Sequence, residues 1–200
     1  MFIIGVTGGT GSGKSTLIEK IIKSSDSQEI CFLSSDSYYK DNSILNFEER
    51  DKLNYDIPSA VDFDLLNNHL SSLKMGNQIN VPKYCFSTHM RLKSTISLLP
   101  KKILILEGIL ILTNKELRDQ IDYKVYLDCP RKLRFERRIK RDMSERGRSY
   151  DDVVNLFDNR LDQMHDLYVD PIKKYCNLIL DSSTEVNFSK LTDIISQNQI

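Results

Sequence analysis

The sequence predicts an α/β fold, a parallel sheet flanked by helices, and three observations carry that reading. Five short apolar runs, Phe2–Val6, Ile30–Leu33, Ile103–Leu106, Val125–Leu127 and Leu178–Leu180, are nearly continuous rather than alternating. Strands buried on both faces look like this. Helical stretches such as Ser15–Lys23 and Arg131–Glu145 separate most of the runs, the rhythm of a parallel sheet joined by helical crossovers. A glycine-rich segment, Gly8–Ser15, lies between the first run and the first helical stretch.

The bulk numbers bound the rest. A chain of 200 residues suits one domain with a substantial core, so 1–200 is read as a single domain. It is 40% hydrophobic and 28% charged, with no low-complexity tract or internal repeat. The 28 basic and 28 acidic residues cancel, which argues against nucleic acid or a membrane surface as a partner. The run Phe2–Val6 is too short for a membrane span and has no basic flank of the kind that precedes a signal peptide. Cys31, Cys85, Cys129 and Cys176 form no Cys-x-x-Cys pair. They suit reduced thiols in a cytoplasm better than a disulfide frame or a zinc site.

Residues 36–100 interrupt the strand–helix rhythm and read as an inserted substrate module. Ser59 or Asp62 can cap a helix whose core face is Phe63, Leu66, Leu70 and Leu73. Gly76-Asn77 ends it. Ile79 and Val81, then Met90, Leu92, Ile96 and Leu98, recur at spacings of two, which predicts an antiparallel hairpin attached to the main sheet.

Gly8-Gly9-Thr10-Gly11-Ser12-Gly13-Lys14-Ser15 satisfies G-x-x-x-x-G-K-[ST], with a strand before it and a helix after it. Glycines let consecutive N–H groups turn inward around phosphate oxygens, and the helix N-terminus adds its positive end. Lys14 is expected to reach the β- and γ-phosphates of ATP or GTP, and the Ser15 hydroxyl to ligate Mg²⁺. The fold is therefore expected to be that of the P-loop NTPases.

Ligands of open α/β sheets bind beyond the carboxyl ends of the strands. Asp36, Glu107 and Asp128 stand at such exits. Asp36 and Glu107 follow the strands expected to flank the phosphate loop, where a carboxylate can hold Mg²⁺ or take a proton from an attacking hydroxyl. Asp128 reads as a turn residue. Arg131, Arg134, Arg138 and Arg141 share one helical face, and Arg146-Gly147-Arg148 follows. Arg131 and Arg134 read as a solvated basic face paired with Glu136, Asp142 and Glu145. Arg141, Arg146 and Arg148, beside a glycine hinge, read as a phosphate lid over 141–150.

Together the segments GVTGGTGSGKST, SSDSYYKD, NYDIPSAVDFDLL, VPKYCFSTHMR, ILILEGILILT and RRIKRDMSERGRS resemble the uridine kinase (uridine–cytidine kinase) family, bacterial branch, from residue 5 to 149, with a weaker echo to 180. The resemblance implies a five-stranded parallel sheet with a hairpin module, Mg²⁺ and ATP or GTP as co-substrates, uridine or cytidine as acceptor, and a homo-oligomer, commonly a tetramer. It extends the nucleotide-binding segment from Gly8 to Thr16. It implies that Asp36 is the base for the 5′-hydroxyl and that Tyr39 lines the nucleoside pocket. It places Asp56 on the ribose diol with Arg138 assisting, Tyr84 and His89 on the pyrimidine edge, and Phe86 as an apolar wall. Glu107 and Ser15 fall on metal-organising positions, and Arg141, Arg146 and Arg148 on the lid. An ionised Asp suits a diol because it only accepts hydrogen bonds and can take two. Four residues depart from the family pattern: Ile57 before Pro58, Leu156, Cys85 and Met90.

Phosphoribulokinase-like and pantothenate-kinase-like enzymes share the sheet and loop but carry different acceptor modules. A nucleotide-dependent switch is the reading from another class. Against a GTPase, Asn114-Lys115-Glu116-Leu117 lacks the aspartate that grips guanine.

Overall fold

The structure, a computed structural model, describes residues 1–25 and 27–199. Its elements are β1 (Phe2–Gly8), α1 (Lys14–Ser24), β2 (Ile30–Ser34), α2 (Phe47–Lys52), α3 (Phe63–Lys74), β3 (Ile79–Cys85), β4 (Met90–Leu98), β5 (Ile103–Glu107), α4 (Lys115–Gln120), β6 (Tyr123–Asp128), α5 (Arg131–Glu145), α6 (Tyr150–Leu156), α7 (Asp162–Met164), β7 (Leu178–Asp181) and α8 (Ser189–Asn198). Two π-helical segments, Phe157–Leu161 and His165–Val169, flank α7.

The five apolar runs become one parallel sheet in the order β2-β5-β1-β6-β7. Side chains alternate across it. Ile3, Leu104, Leu106 and Tyr126 face α3 and α4 through Leu66, Leu70 and Leu117. Ile4, Val6, Ile105 and Val125 face α1 and α8 through Leu17, Ile18, Ile21, Leu191 and Ile195. This two-sided burial makes the strand sequences continuously apolar. At the two edges of the sheet Phe32 and Ile179 remain exposed.

In the inserted module the cap of α3 is Asp62, whose side chain accepts from the Leu65 N–H at 3.1 Å. Ser59 lies in a 3₁₀ turn, Pro58–Ala60, instead. Leu66, Leu70 and Leu73 are buried as the spacing predicts, with Phe63 partly so.

The hairpin forms, but its expected attachment to the main sheet does not. β3 and β4 make a separate two-stranded antiparallel sheet with a bulge at Pro82/Lys83. Pro82 has no N–H to give a ladder. The hairpin is held by side chains instead: Ile79 and Val81 enter the core beside α3. Arg91 donates from Nε and Nη2 to the Tyr39 carbonyl (3.1 and 2.8 Å) and pairs with Asp62 at 3.1 Å. Leu92 and Ile96 stay exposed on β4. Among the described residues no helix is long and apolar enough to cross a membrane, and all four cysteines are free.

Candidate active site

β1 runs into the phosphate loop at the carboxyl end of the sheet. Gly8, Gly11 and Gly13 have φ of 142°, 74° and 93°, a region L side chains rarely adopt. Space forbids side chains at two of them as well. A Cβ on Gly8 would lie 2.5 Å from the Leu127 carbonyl oxygen, and one on Gly11 2.4 Å from that of Arg134. The loop is thus pressed against β6 and α5. Lys14 Nζ donates to the carbonyls of Gly8 and Gly9 at 3.0 and 3.1 Å, folding back over the loop. Burial depresses its pKa, against the pull of Glu107 and Asp36.

A cleft of about 750 Å³ runs from this loop across the inserted module. Every site residue proposed from sequence lines it, except Gly8, Gly9 and Ser12, which form the rear of the loop. At one end lie Thr10, Gly11, Gly13, Lys14, Ser15 and Thr16. Asp36, Asp56 and Glu107 stand in the middle. Burial raises the Glu107 pKa, with Lys14 opposing and Asp36 adding. Burial likewise raises Asp56, with Arg138 opposing and Asp36 adding. Three carboxylates thus line one stretch of the cleft, where burial favours taking up a proton at Asp56 and Glu107. Among the described residues no three acidic, histidine or cysteine side chains converge as a metal site.

The other end is aromatic. The Tyr39 ring lies 5.4 Å from Tyr55 and 5.1 Å from Tyr84, and Tyr84 lies 5.4 Å from Phe86. Burial pushes the Tyr39 and Tyr84 hydroxyls well above their usual pKa, so both remain neutral. His89 sits at the tip of the hairpin with φ 52°, stacked on Tyr55 at 4.9 Å with an interplanar angle of 10°. Arg50 Nε donates to the neighbouring Thr88 carbonyl at 3.0 Å, which pins the turn. Sequence reasoning missed Tyr55 and Arg50. The signal for α2 was present in the Asn46–Glu49 capping box.

The basic face of α5 is organised differently from the sequence expectation. Arg131 is exposed but pairs with Asp158 and Asp162, not with Glu136 or Glu145. Arg134 is not solvated: it is 5% exposed beneath the loop, its Nε donating to the Cys129 carbonyl at 3.2 Å. α5 lies against the loop, so one turn faces inward where an isolated amphipathic pattern would face water. Arg138 Nη1 donates to Thr10 Oγ1 at 2.5 Å, and Arg137 and Ser182 both reach the Ser12 carbonyl. Asp142, fully buried, is the hub of the lid arginines. It accepts from Arg138 at 2.6 Å and Arg141 at 3.0 Å, and Arg146 lies 3.7 Å away. The Arg146 guanidinium also covers the Phe86 ring at 4.5 Å, joining the phosphate and aromatic ends. Burial among the other arginines lowers the Arg146 pKa to about 10. The helix ends where predicted, with Gly147 at φ 66°.

Outside the cleft, Asp128 pairs with Lys173 at 3.1 Å, and Asn114 caps α4 through the Leu117 N–H. Of the departing residues Leu156 lines the cleft, whereas Ile57, Cys85 and Met90 do not.

Residues 3–189 match the model of the phosphoribulokinase / uridine kinase family. The chain belongs to that family. It is a P-loop kinase. It is 43% identical over 203 residues to a uridine kinase of Clostridium novyi (strain NT), covering 98% of each chain. To a uridine kinase of Staphylococcus haemolyticus (strain JCSC1435) it is 45% identical over 178 residues, covering 89% of this chain and 86% of that one. The solved phosphoribulokinase from Rhodobacter spheroides superposes with a TM-score of 0.65 at 15% identity, over 90% of this chain and 69% of that one. This last likeness concerns the fold alone.

Proposed function

We propose that this kinase is a uridine kinase, transferring the γ-phosphoryl group of ATP or GTP to the 5′-hydroxyl of uridine and cytidine in cytoplasmic pyrimidine salvage. One observation carries the reading: a single cleft joins the phosphate loop, through three carboxylates, to a wall of Tyr39, Tyr84, Phe86 and His89. Phosphoryl donor and nucleoside thereby meet end to end at Asp36. The curated relatives at 43–45% identity support it.

In this reading the phosphate loop and Lys14 hold the donor phosphates, and Lys14 exchanges its two carbonyl partners for phosphate oxygens. Mg²⁺ is usually bound through one or two carboxylates plus phosphates and water, and the partial set Ser15, Asp36 and Glu107 fits it. When bound, it neutralises charge on the β- and γ-phosphates. Asp36 accepts the 5′-hydroxyl proton as the oxygen attacks phosphorus. Asp56, held among Arg138, Arg160 and Arg146, accepts both ribose hydroxyls. Tyr84 and His89 read the base while Phe86 walls it. Arg141, Arg146 and Arg148 close over the phosphoryl group and stabilise the charge spreading over its oxygens. The whole chain acts as one domain, with 36–100 as the nucleoside module and 141–150 as the lid, and assembles as a homotetramer.

A coupled assay of ADP release across a nucleoside panel tests this. ADP should form with uridine and cytidine and not with adenosine or guanosine. Equal ADP release without any nucleoside would make the chain a nucleotide-dependent switch or ATPase.

A further inference from the structure

His89 is the one ring at the aromatic end whose proton can sit on either of two nitrogens, so that each nitrogen donates or accepts according to the tautomer. The structure brings one carboxylate to the ring. Nε2 faces the Asp51 carboxylate on α2 at 3.3 Å. Nδ1 makes no protein hydrogen bond among the described residues, and the ring lines the cleft. The ring cannot swing freely, because it lies flat on Tyr55 and its turn is held by Arg50. Tyr55 is tied to the same short helix, its hydroxyl donating to the Arg50 carbonyl at 3.0 Å.

We propose that Asp51 is a positioning residue for His89: its carboxylate keeps the proton on Nε2, so that Nδ1 meets the nucleobase as an acceptor. The assignment of the base to this end of the cleft rests on the uridine kinase reading. The charged groups around the ring are Asp51 on α2 and Arg146 and Arg148 beyond α5. Burial and the two arginines disfavour an imidazolium more than Asp51 favours one, and the His89 pKa is lowered. The neutral ring is therefore favoured, and which nitrogen holds its proton matters. An acceptor facing position 4 of a pyrimidine matches the amino group of cytosine; a donor there matches the carbonyl of uracil. Asp51 thus tilts the pocket toward cytidine, while uridine still binds through Asp56 and the aromatic wall, which do not depend on the tautomer.

The test has two arms. Long-range ¹H–¹⁵N NMR of the histidine-labelled full chain reports each ring tautomer, and the chain has only three histidines. His89 should show the Nε2–H form in the native protein and lose that preference in Asp51→Ala. Asp51 is half-exposed, so the variant should fold as the native chain does. Second, the kcat/KM ratio of cytidine over uridine should fall roughly ten-fold in Asp51→Ala, the scale of one mismatched hydrogen bond, while a purely structural role would lower both substrates alike. A native His89 in the Nδ1–H form, or a ratio unmoved by Asp51→Ala, overturns the proposal. If neither nucleoside is phosphorylated by the native enzyme, the uridine kinase reading fails, and the tautomer arm still decides what Asp51 does to His89.

Discussion

Asp142 offers the sharpest perturbation of the lid. It is fully buried and accepts from Arg138 at 2.6 Å and from both Nε and Nη2 of Arg141 at 3.0 Å. Burial alone would raise its pKa, but Arg138, Arg141 and Arg146 together outweigh burial and hold it below the usual carboxylate range. Asp142→Asn keeps the shape and leaves three guanidinium groups converging on a neutral amide. Removing one partner of a buried ion pair costs about 3–5 kcal/mol. In a chain of this size each kcal/mol lowers Tm by roughly 2–4 °C, so the melting point should fall by roughly 6–20 °C. Urea denaturation should show the loss as a lower midpoint at unchanged slope. The pH dependence follows from the sign of the shift. A carboxyl whose folded pKa lies below its unfolded value contributes stability at higher pH and loses it as pH falls through the folded pKa. The gap between native and variant should therefore be widest near neutrality and close on acidification. A gap under about 1 kcal/mol at pH 7, the size of an exposed surface pair, or one that widens in acid, would refute the hub.

Three other substitutions probe the chemistry. Asp36→Asn removes the proton acceptor at constant shape, so kcat for uridine should fall by ~10²–10⁴ while nucleoside binding by calorimetry changes little; lost binding with unchanged kcat would make Asp36 structural. Lys14→Ala should abolish turnover with the fold retained by circular dichroism, since Lys14 neutralises charge that grows toward the transition state; activity within a few-fold of native would contradict this. Asp56 has a folded pKa raised by burial, so its charge costs stability as pH rises from the unfolded pKa through the folded one. Asp56→Asn should accordingly melt higher than native at pH 8 and equal to it in acid, while uridine turnover falls and the preference over 2′-deoxyuridine narrows; a lower melting point at pH 8 would reverse the sign of that argument.

Much of this was legible in the residues. Both faces of β1, β5 and β6 are buried, which writes a continuous apolar run into each, and the phosphate loop declares itself because its glycines are demanded by close approach to Leu127 and Arg134. Side-chain attachment left a weaker trace. The period of two in β4 predicts a strand but does not say which edge it joins, and here Arg91 and Ile79 anchor the hairpin without a shared ladder. Arg134 and Asp142 read as surface charges because a helix pattern cannot reveal that a glycine-rich loop lies against it. Asp51 carries no motif at all. Its relevance appears only when α2 folds over the hairpin tip and brings it to His89.

The most direct measurement of the central claim is the structure of the protein with uridine and a non-hydrolysable ATP analogue bound. In that complex the 5′-hydroxyl should lie within hydrogen-bond reach of Asp36, the ribose diol on Asp56, and the base against Tyr84 and His89 with the triphosphate on Gly8–Thr16. Uridine bound away from that aromatic wall, or with its 5′-hydroxyl out of reach of both Asp36 and the γ-phosphate, would contradict it.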